Sequence, residues 1–409
     1  MSDKARIAAY NAVKRIFAGA YSNLIPTENG LEGLDRAFAE SIAMGTLERK
    51  ITLEYILNDF LKKDTKADMT ALIMTGAYQI LFMDRVPDSA ACDETVNIAK
   101  QFFGKNASGF VNAVLRNICR NKAEIEKKLE SADGYIKYSV NKDLFELIKE
   151  QYPEQFEEIF ASFFGKQALH LRVNTLKANA DEVAQAVEGA KLNEGCVVTE
   201  NAKSALSLID EGKFYVQGLA SQRAVELLGA QPNETVIDVC ACPGGKSLGA
   251  AIDMKNCGKI FSFDLHANKL PLIEKSANKL GITIIKTEKR DAKCPDESLF
   301  GTADRVICDV PCSGTGVMGS KPEIKYKSPD AFKGLYDTQK AIIAASAKYL
   351  KRGGTMVYST CSINKKENED VVNGFLNCNN GFSLCEMTTY LPFGEAKEGF
   401  FTAKIKREI

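Results

Sequence analysis

This sequence contains few histidines, no Cys-x-x-Cys spacing and no long apolar runs. Its 409 residues include only two histidines, His170 and His266, so proton transfer should fall to carboxylates and thiols. There is no Cys-x-x-Cys pair, so zinc is not expected, and 12 apparently unpaired cysteines indicate a reducing cytoplasm. No stretch reaches membrane-spanning length, and glycines at 30 and 33 argue against a signal peptide.

Net charge is also missing, because 53 basic side chains balance 53 acidic ones. Global charge therefore does not indicate a nucleic-acid partner, and any basic surface must be local. A content of 45% hydrophobic and 26% charged residues is typical of a globular protein in water. The length favours two or three domains. A cytoplasmic monomer without membrane contacts is expected.

Residues 238–247 (Asp-Val-Cys-Ala-Cys-Pro-Gly-Gly-Lys-Ser) are the most informative stretch of the chain. An apolar run leads into them and a helical pattern follows, which is the layout of a nucleotide-phosphate or adenosyl pocket. A P-loop would need glycine where Cys240 stands, and a dinucleotide fingerprint needs three spaced glycines, whereas only Gly244 and Gly245 are present. What remains is a turn whose backbone amides can approach a ligand closely.

The first 130 residues have the apolar spacing of helices, which predicts a helical bundle. The predicted helices cover 5–17, 35–47, 53–60, 71–83 and 90–100. Five basic residues follow one another between 100 and 122 with no acid among them: Lys100, Lys105, Arg116, Arg120 and Lys122. They are either a phosphate-binding face or an ordinary solvated helix surface.

The middle of the chain contains a turn at Asp133-Gly134, a helical connection and then a small α+β module over 166–217. Strands are predicted at 169–175 and 195–199, with a helix at 181–187. Arg172 and Asn174 in the first strand either touch RNA or serve a structural role.

From residue 230 onward, apolar runs alternate with helical patterns, at 235–239, 259–263, 282–286, 304–308 and 355–358. This alternation predicts a doubly wound parallel sheet with right-handed crossovers. A late strand at 399–405 has no helix after it, so it should pair antiparallel.

Polar residues follow these runs, where ligands bind in open α/β sheets. They are Asp238, Asp264, Asp291 and Asp309, with residues 359–362 (Ser-Thr-Cys-Ser) after the fifth run. Asp264 ends the second strand, where an acid accepts hydrogen bonds from ribose hydroxyls. The predicted site therefore lies along one rim of the sheet.

Two cysteines stand at neighbouring strand ends, Cys312 after Pro311 and Cys361 within Thr-Cys-Ser. Carbon 5 of a pyrimidine is a weak nucleophile, but a thiolate added to carbon 6 makes it enamine-like, so that it can take a methyl group from a sulfonium. An inert buried cysteine is the alternative for each, and two together favour the chemistry.

Several strings in the chain resemble known families. Residues 238–246 are similar to the first motif of S-adenosylmethionine-dependent RNA cytosine methyltransferases, and residues 110–116 (Phe-Val-Asn-Ala-Val-Leu-Arg) resemble the NusB family of RNA-binding antitermination factors. Along nearly its full length the chain resembles the RsmB (Sun, Fmu) family of ribosomal RNA cytosine-5 methyltransferases. That resemblance implies a NusB-like domain (1–135), a helical linker (136–165), a small α+β subdomain (166–225) and a Rossmann-like catalytic domain (226–409).

The resemblance also implies roles for individual residues. Cys361 is the expected nucleophile, Cys312 assists product release, Asp309 contacts the amino group and ring nitrogen of cytosine, and Lys325 lies near the nucleophile. Asp291 should face the adenine edge of S-adenosylmethionine, and Gly314 to Gly316 should leave room for the base. The residues expected to hold the cofactor are Cys240, Ala241, Cys242, Pro243, Gly244, Gly245, Lys246, Asp264, Asp291 and Asp309.

The chain departs from the family pattern at Gly218, where an acid is common, and at residues 319–320, where a basic pair is common. The implied substrate is a cytosine in small-subunit ribosomal RNA. A methyltransferase acting on transfer RNA or protein, and a non-catalytic NusB-like RNA-binding factor, are the alternatives. The intact set of Asp264, Asp309, Cys312 and Cys361 argues against the last of these.

Overall fold

The computed structural model describes residues 3–19, 30–61, 65–165, 168–193 and 196–409, which divide into two compact units. The helical unit comprises residues 1–156 and 318–329. The sheet unit comprises residues 157–317 and 330–409. No helix within the described ranges is both long and apolar enough to cross a membrane.

Amphipathic helices build the helical unit around one apolar core. The helix at its centre, α4, is buried on almost every side, with Leu72, Ile73 and Met74 consecutive in the core, as expected for a helix that is apolar all round. All five helices predicted from periodicity are present. The helices are α1 (Lys4–Phe17), α2 (Gly33–Glu48), α3 (Lys50–Leu57), α4 (Ala67–Phe82), α5 (Asp88–Phe103), α6 (Lys105–Arg120), α7 (Lys122–Glu130), α8 (Gly134–Lys137) and α9 (Lys142–Gln151).

Residues 318–329 belong to the helical unit, although the sequence places them within the catalytic half. They form a short 3-10 turn, Pro322–Tyr326, in which Ile324 and Lys325 are buried. The Tyr326 hydroxyl donates to the carbonyl oxygen of Leu47, and the Asn141 amide donates to that of Lys325 at 2.7 Å. Removing the N-terminal helices would therefore uncover the buried side chains of this segment, including Ile324.

The smaller sheet has the order β2-β3-β1-β4 and is antiparallel throughout. It follows α10 (Phe156–Ser162) and comprises β1 (Leu169–Val173), β2 (Lys191–Asn193), β3 (Cys196–Thr199) and β4 (Phe214–Val216), with α11 (Ala180–Ala186) and α12 (Ala202–Leu208) packed on it. The predicted strand at 195–199 is present from Cys196, and Gly195 lies outside the described residues.

Arg172 and Asn174 are both buried and both structural, so the RNA-contact alternative for them is wrong. The guanidinium of Arg172 donates to Asp253 at 2.7 Å. The side-chain amide of Asn174 donates to the carbonyl oxygens of Gly212 at 2.8 Å and Leu280 at 2.9 Å. The bonds to Asp253 and Leu280 fasten the smaller sheet to helices of the larger one.

The larger sheet has seven strands in the order β10-β11-β9-β8-β5-β6-β7. Five are parallel, and β11 pairs antiparallel with β9 as predicted. The strands are β5 (Thr235–Asp238), β6 (Lys259–Asp264), β7 (Ile285–Lys289), β8 (Ala303–Asp309), β9 (Leu350–Thr360), β10 (Phe382–Tyr390) and β11 (Phe400–Arg407). Its helices are α13 (Leu219–Leu228), α14 (Gly245–Asp253), α15 (Leu270–Leu280), α16 (Lys333–Ala347) and α17 (Glu369–Cys378).

The strand order of this sheet reverses at β5, which is its topological switch point. From β5 the chain moves outward through β6 and β7, and then returns to β8 on the other side of β5. A crevice forms at the carboxyl ends of strands where the order reverses, and this is where open α/β sheets bind ligands. Asp238 and Asp309 end the two strands that flank it.

Several strands differ from the sequence prediction: β2 and β4 were not predicted, and β9 begins at Leu350, five residues before its apolar run. The third strand begins at Ile285, three residues after the apolar run starts, because Ile282 packs in the core behind α15. Strand β10 was not predicted: it is an edge strand with intermediate or exposed residues on both faces, so it lacks the alternation that burial imposes.

Candidate active site

The predicted acids of the sheet unit meet at one rim. Asp238, Asp264 and Asp309 are the last residues of β5, β6 and β8. Asp291 follows β7 by two residues, and Cys361 follows β9 directly. Parallel pairing of β9-β8-β5-β6-β7 brings these residues to the same edge, as the sequence predicted.

The glycine turn after β5 is shaped by Gly244, which has a φ of +109° and precedes α14. A β-carbon there would lie 3.1 Å from Ile273, so both the backbone and the space favour glycine. The Tyr215 hydroxyl donates to the carbonyl oxygen of Gly245 at 2.8 Å and so supports the turn from β4. The first amides of α14 therefore face the rim, where a helix N-terminus attracts a carboxylate or phosphate.

Asp264 and Asp291 accept hydrogen bonds from backbone amides of the loops at the rim. Asp264 accepts hydrogen bonds from the amides of His266 at 2.9 Å and Cys242 at 3.3 Å. Asp291 accepts one from the amide of Lys293 at 2.9 Å. Both carboxylates are half-buried, and each oxygen can accept a second bond. The Asp264 bond to Cys242 ties the β6 acid to the glycine turn.

Asp238 is almost fully buried, and this raises the pKa of its carboxyl to about 7. Burial is the main cause, opposed by the hydrogen bond from Ser247 and assisted by the negative charge of Asp309. The Ser247 hydroxyl donates to Asp238 at 2.7 Å and lies 2.7 Å from the Ser262 hydroxyl. This buried cluster fastens α14 to β5 and β6.

Lys246 crosses the crevice and pairs with Asp309, its ammonium lying 2.7 Å from a carboxylate oxygen. Burial alone would lower the pKa of Lys246, but the charges of Asp309 and Asp238 raise it above its ordinary value. The other Asp309 oxygen accepts from the Ser359 hydroxyl at 2.6 Å. The orientation of Asp309 is thus fixed from two sides.

The two predicted cysteines are brought together, with their sulfur atoms 2.9 Å apart and no disulfide between them. The hydrogen bond to Cys361, together with burial, raises the pKa of Cys312 well above its ordinary value. Cys312 therefore keeps its proton at neutral pH. A protonated thiol in contact with a second sulfur can act as a proton donor to it.

A buried carboxylate, Glu367, holds the two cysteine loops in register. Its oxygens accept hydrogen bonds from the Ser313 amide at 2.8 Å, the Ser362 hydroxyl at 2.6 Å and the Gln339 side chain at 3.0 Å, as well as from the Ser313 hydroxyl. Ser313 and Ser362 each follow one of the cysteines. The spacing of the sulfur atoms therefore depends on a buried residue outside the predicted site.

Lys325, which the family resemblance places near the nucleophile, belongs to the helical unit. Burial lowers the pKa of Lys325 to about 7 and raises that of Glu48 to about 7, and each opposes the shift of the other. Its surroundings are those of a buried charge in a structural segment. The catalytic role implied by the family resemblance stays a prediction.

The expectation that Gly314 to Gly316 leave room for a base is wrong for Gly316. A β-carbon on Gly316 would lie 1.9 Å from the carbonyl oxygen of Gly399. The Gly399 amide donates to the Gly316 carbonyl at 2.7 Å, and the Gly316 amide donates to that of Cys361 at 3.0 Å. Close approach of two backbones, not space for a ligand, requires glycine at this position.

No group of three His, Cys, Asp or Glu side chains is placed to hold a metal ion in the part of the chain that the structure describes. The arrangement instead fits an adenosyl ligand: a glycine turn with helix amides, a half-buried acid at the end of β6, and two thiols across the crevice. These are the contacts that a ribose, a carboxylate and a methyl acceptor require.

Comparison with known proteins places the two halves in families. The model of 16S rRNA methyltransferases RsmB/F matches residues 225–406, and the NusB family model matches residues 3–120. A probable ribosomal RNA small subunit methyltransferase B of Bacillus subtilis is 34% identical, over 87% of this chain and 84% of that protein. The ribosomal RNA small subunit methyltransferase B of Vibrio cholerae is 31% identical, over 98% and 97%.

Solved structures share the fold. The crystal structure of PH0851 aligns with a TM-score of 0.85 at 24% identity, covering 100% of this chain and 99% of that one. NSun6 from Pyrococcus horikoshii, solved with SFG, aligns with a TM-score of 0.59 at 22% identity, covering 65% and 98%. Sequence identity above 30% over most of both lengths decides the family: the chain belongs to the ribosomal RNA small subunit methyltransferases B.

Proposed function

We propose that this protein uses S-adenosylmethionine to methylate carbon 5 of a cytosine in small-subunit ribosomal RNA, through a covalent bond between Cys361 and carbon 6. The observation that carries the proposal is the pair of cysteine sulfur atoms, 2.9 Å apart, at the ends of adjacent strands. Asp309 ends the first of those strands and is oriented by Lys246 and Ser359. One thiol can attack carbon 6 of a pyrimidine, the second can transfer protons, and the carboxylate can bind the base.

The residues proposed to bind the cofactor are residues 240–246, Asp264 and Asp291. Asp264 would accept hydrogen bonds from the ribose hydroxyls, and the first amides of α14 would receive the carboxylate of the methionine part. When bound, the cofactor supplies an electrophilic methyl group on a sulfonium. Lys246 pairs with Asp309 and therefore orients that carboxylate on the substrate side of the crevice. It is not expected to bind a phosphate, because the chain has no P-loop.

Cys361 and Cys312 take different roles, and the raised pKa of Cys312 suits it to hold and pass on a proton. The thiolate of Cys361 adds to carbon 6, and the displaced electron pair makes carbon 5 nucleophilic. After methyl transfer, the bond between sulfur and carbon 6 breaks and the ring double bond returns. Cys312, which holds its proton, donates that proton to the departing sulfur of Cys361 and takes up the proton leaving carbon 5.

Asp309 selects the base. Its carboxylate accepts a hydrogen bond from the amino group of cytosine, which uracil lacks, and so a uracil would leave a partly buried carboxylate facing a carbonyl oxygen. The target base must leave its stack to reach the crevice, as in other enzymes that do chemistry on a base.

The helical unit supplies RNA affinity through the exposed face of α6. That helix contains no acid, and Lys105, Arg116 and Arg120 are exposed on it opposite the buried stripe of Val111, Leu115 and Ile118. Lys122, the last member of the basic run, instead pairs with Asp88 at 2.6 Å. A face of cations without acids binds phosphates.

The triple variant Lys105→Gln, Arg116→Gln, Arg120→Gln should weaken binding to ribosomal RNA and make its dependence on salt shallower by up to about three ion equivalents. Filter binding at 50–200 mM salt measures both quantities. The matched control is Lys122→Gln, whose loss of a paired charge should leave the salt slope nearly unchanged. Equal slopes for wild type and triple variant would remove α6 from the RNA interface.

Transfer of radiolabelled methyl groups from S-adenosylmethionine tests the function itself. Deproteinised small-subunit ribosomal RNA should accept label, and nuclease digestion should recover it as 5-methylcytidine. Label in transfer RNA alone would favour the transfer-RNA alternative. No label in any RNA, together with intact RNA binding, would favour a non-catalytic binding factor.

A further inference from the structure

Helix α13 begins without a capping side chain of its own. Its N-cap residue is Gly218, and the first turn contains Leu219, Ala220 and Ser221. Serine, threonine, aspartate or asparagine usually stands at such a position, because a side-chain oxygen can accept from the amides of the first turn. Here the acceptor comes from far along the chain: a carboxylate oxygen of Glu398 accepts from the Ala220 amide at 3.1 Å.

Glu398 fills the space that a side chain at residue 218 would use. A β-carbon on Gly218 would lie 2.2 Å and 2.4 Å from the two carboxylate oxygens of Glu398 and 2.5 Å from its carboxyl carbon. The Gly218 backbone has a φ of −55°, which any residue can adopt. A side chain at 218 would therefore have to displace the carboxylate of Glu398, whereas the backbone itself would accept any residue.

Glu398 lies in the connection from β10 to β11, which runs beside the crevice. The next residue, Gly399, packs its backbone on Gly316 of the Cys312 loop, with a hydrogen bond of 2.7 Å. The residue after that, Phe400, has its ring 5.2 Å from the ammonium of Lys246. Anchoring Glu398 therefore anchors two residues that touch the substrate side of the site.

The anchored end of α13 also reaches the crevice. The Ser221 hydroxyl lies 3.4 Å from the Lys246 ammonium, which in turn pairs with Asp309. Burial raises the pKa of Glu398, and the amides of Ala220 and Ser221 and the charge of Lys246 oppose the rise. The charge of Glu398 is thus part of the same electrostatic cluster as Lys246 and Asp309.

We propose that Glu398 is a positioning residue for methyl transfer, which caps α13 in place of a side chain at Gly218 and at the same time ties the β10–β11 connection against the Cys312 loop. The capping of α13 by Glu398 is inferred from the structure alone. The effect of Glu398 on methyl transfer rests on the proposed function.

Four proteins test the proposal: wild type, Glu398→Gly, Gly218→Asp and the double variant. Both single variants should melt at lower temperature, the first because α13 loses its cap and the second because two carboxylates compete for one space. In the double variant the aspartate caps the helix from residue 218, so the melting temperature should recover to near that of wild type. Additive losses in the double variant would show that the two positions do not share this space.

Kinetics separate positioning from capping. The double variant should keep kcat at least tenfold below wild type with an unchanged KM for S-adenosylmethionine, because its connection is no longer tied to α13. Glu398→Gln, which retains an acceptor oxygen, should keep kcat within about threefold of wild type. Recovery of kcat in the double variant, or an unchanged kcat in Glu398→Gly, would overturn the positioning role.

The melting-temperature test and the kinetic test can fail independently of each other. Melting temperatures need no RNA, so the capping cycle can be measured even if the wild-type protein methylates no RNA. In that case the proposed function fails while the pairing of residues 218 and 398 is still confirmed or refuted.

Discussion

The two sides of the crevice are built in different ways. On the cofactor side, which comprises residues 240–246 with Asp264 and Asp291, the two acids accept hydrogen bonds from backbone amides of the rim loops, and both remain half-buried. On the nucleophile side, which comprises Asp309 and the two cysteine loops, Ser313, Ser362 and Glu367 are buried and bond to one another, linking positions about 50 residues apart in the sequence.

The cofactor side therefore determines mainly the affinity for the cofactor, and the nucleophile side fixes the positions of the reacting groups. Short loops with local hydrogen bonds can adapt to a ligand, since few tertiary bonds must break when they move. A buried and fully bonded network has one low-energy arrangement, because every displaced group would lose a partner out of reach of water. Substitutions should therefore change mainly cofactor affinity on one side, and both stability and chemistry on the other.

The largest effect is expected from Glu367→Ala on the nucleophile side. The change leaves several buried donors without an acceptor, at about 1–3 kcal/mol each, so the free energy of unfolding should fall by at least about 4 kcal/mol. Methyl transfer should fall by roughly 100-fold or more as the sulfur atoms lose their register. Chemical denaturation and single-turnover kinetics measure the two losses.

The control for this variant is Glu386→Ala, which removes an exposed glutamate from β10. It should change neither quantity noticeably, because exposed charges contribute little to stability. If Glu367→Ala behaved like Glu386→Ala, the network would not hold the cysteine loops.

A smaller effect is expected from Asp238→Asn, and it depends on pH. An acid whose pKa is raised by folding, here from 3.8 to about 7, binds its proton more tightly in the folded state. Its stabilising contribution is complete below about pH 4 and is lost as the pH rises to about 7. Asparagine resembles the protonated form, so the variant should be more stable than wild type at pH 8, by up to about 4 kcal/mol.

Urea denaturation between pH 4 and 8 checks this dependence on pH. The difference in unfolding free energy between variant and wild type should grow with pH and level off near pH 7. A difference that stays constant with pH for Asp238→Asn would contradict the raised pKa.

The smallest effect is expected from Asp264→Ala on the cofactor side. Losing a charged hydrogen bond to the ribose should weaken cofactor binding by roughly 1.5–3 kcal/mol, or about tenfold or more. The melting temperature should change little, because Asp264 is half-buried and its hydrogen bonds are to the rim loops. Calorimetric titration with S-adenosylmethionine measures the affinity, and Asp337→Ala on the exposed side of α16 is the control. Wild-type affinity in Asp264→Ala would contradict the ribose assignment.

The same contrast explains how much of the molecule could be predicted from the sequence. The cofactor side was predicted because its signals are local: a strand, a glycine turn and an acid at each strand end. The two cysteines could be found because each stands in a distinctive string. The partners of Glu367 lie 5 to 54 residues away in the chain, and no local pattern relates them.

Other residues were beyond sequence reasoning for the same physical reason. Glu398 and Gly218 are explained only by their proximity, across about 180 residues of chain. Residues 318–329 follow the Cys312 loop directly, and only their burial shows that they complete the helical unit. A fragment that begins after the N-terminal helices would leave this segment uncovered, so variants of the full chain are better suited to these tests.

The division of roles between Cys312 and Cys361 is the central claim, and trapping of a covalent protein–RNA adduct tests it most directly. Each variant is incubated with ribosomal RNA and S-adenosylmethionine and then separated by denaturing electrophoresis. Cys385→Ala on the exposed strand β10 serves as the control and should behave as wild type. Both active-site variants are matched in size, so lost packing should not produce an asymmetry between them.

Cys312→Ala should accumulate an adduct that resists denaturation, because Cys361 still attacks and the methylated base cannot be released. Cys361→Ala should form no adduct and transfer no methyl group, while still binding the cofactor. An adduct that accumulates with Cys361→Ala, or with neither variant, would contradict the account.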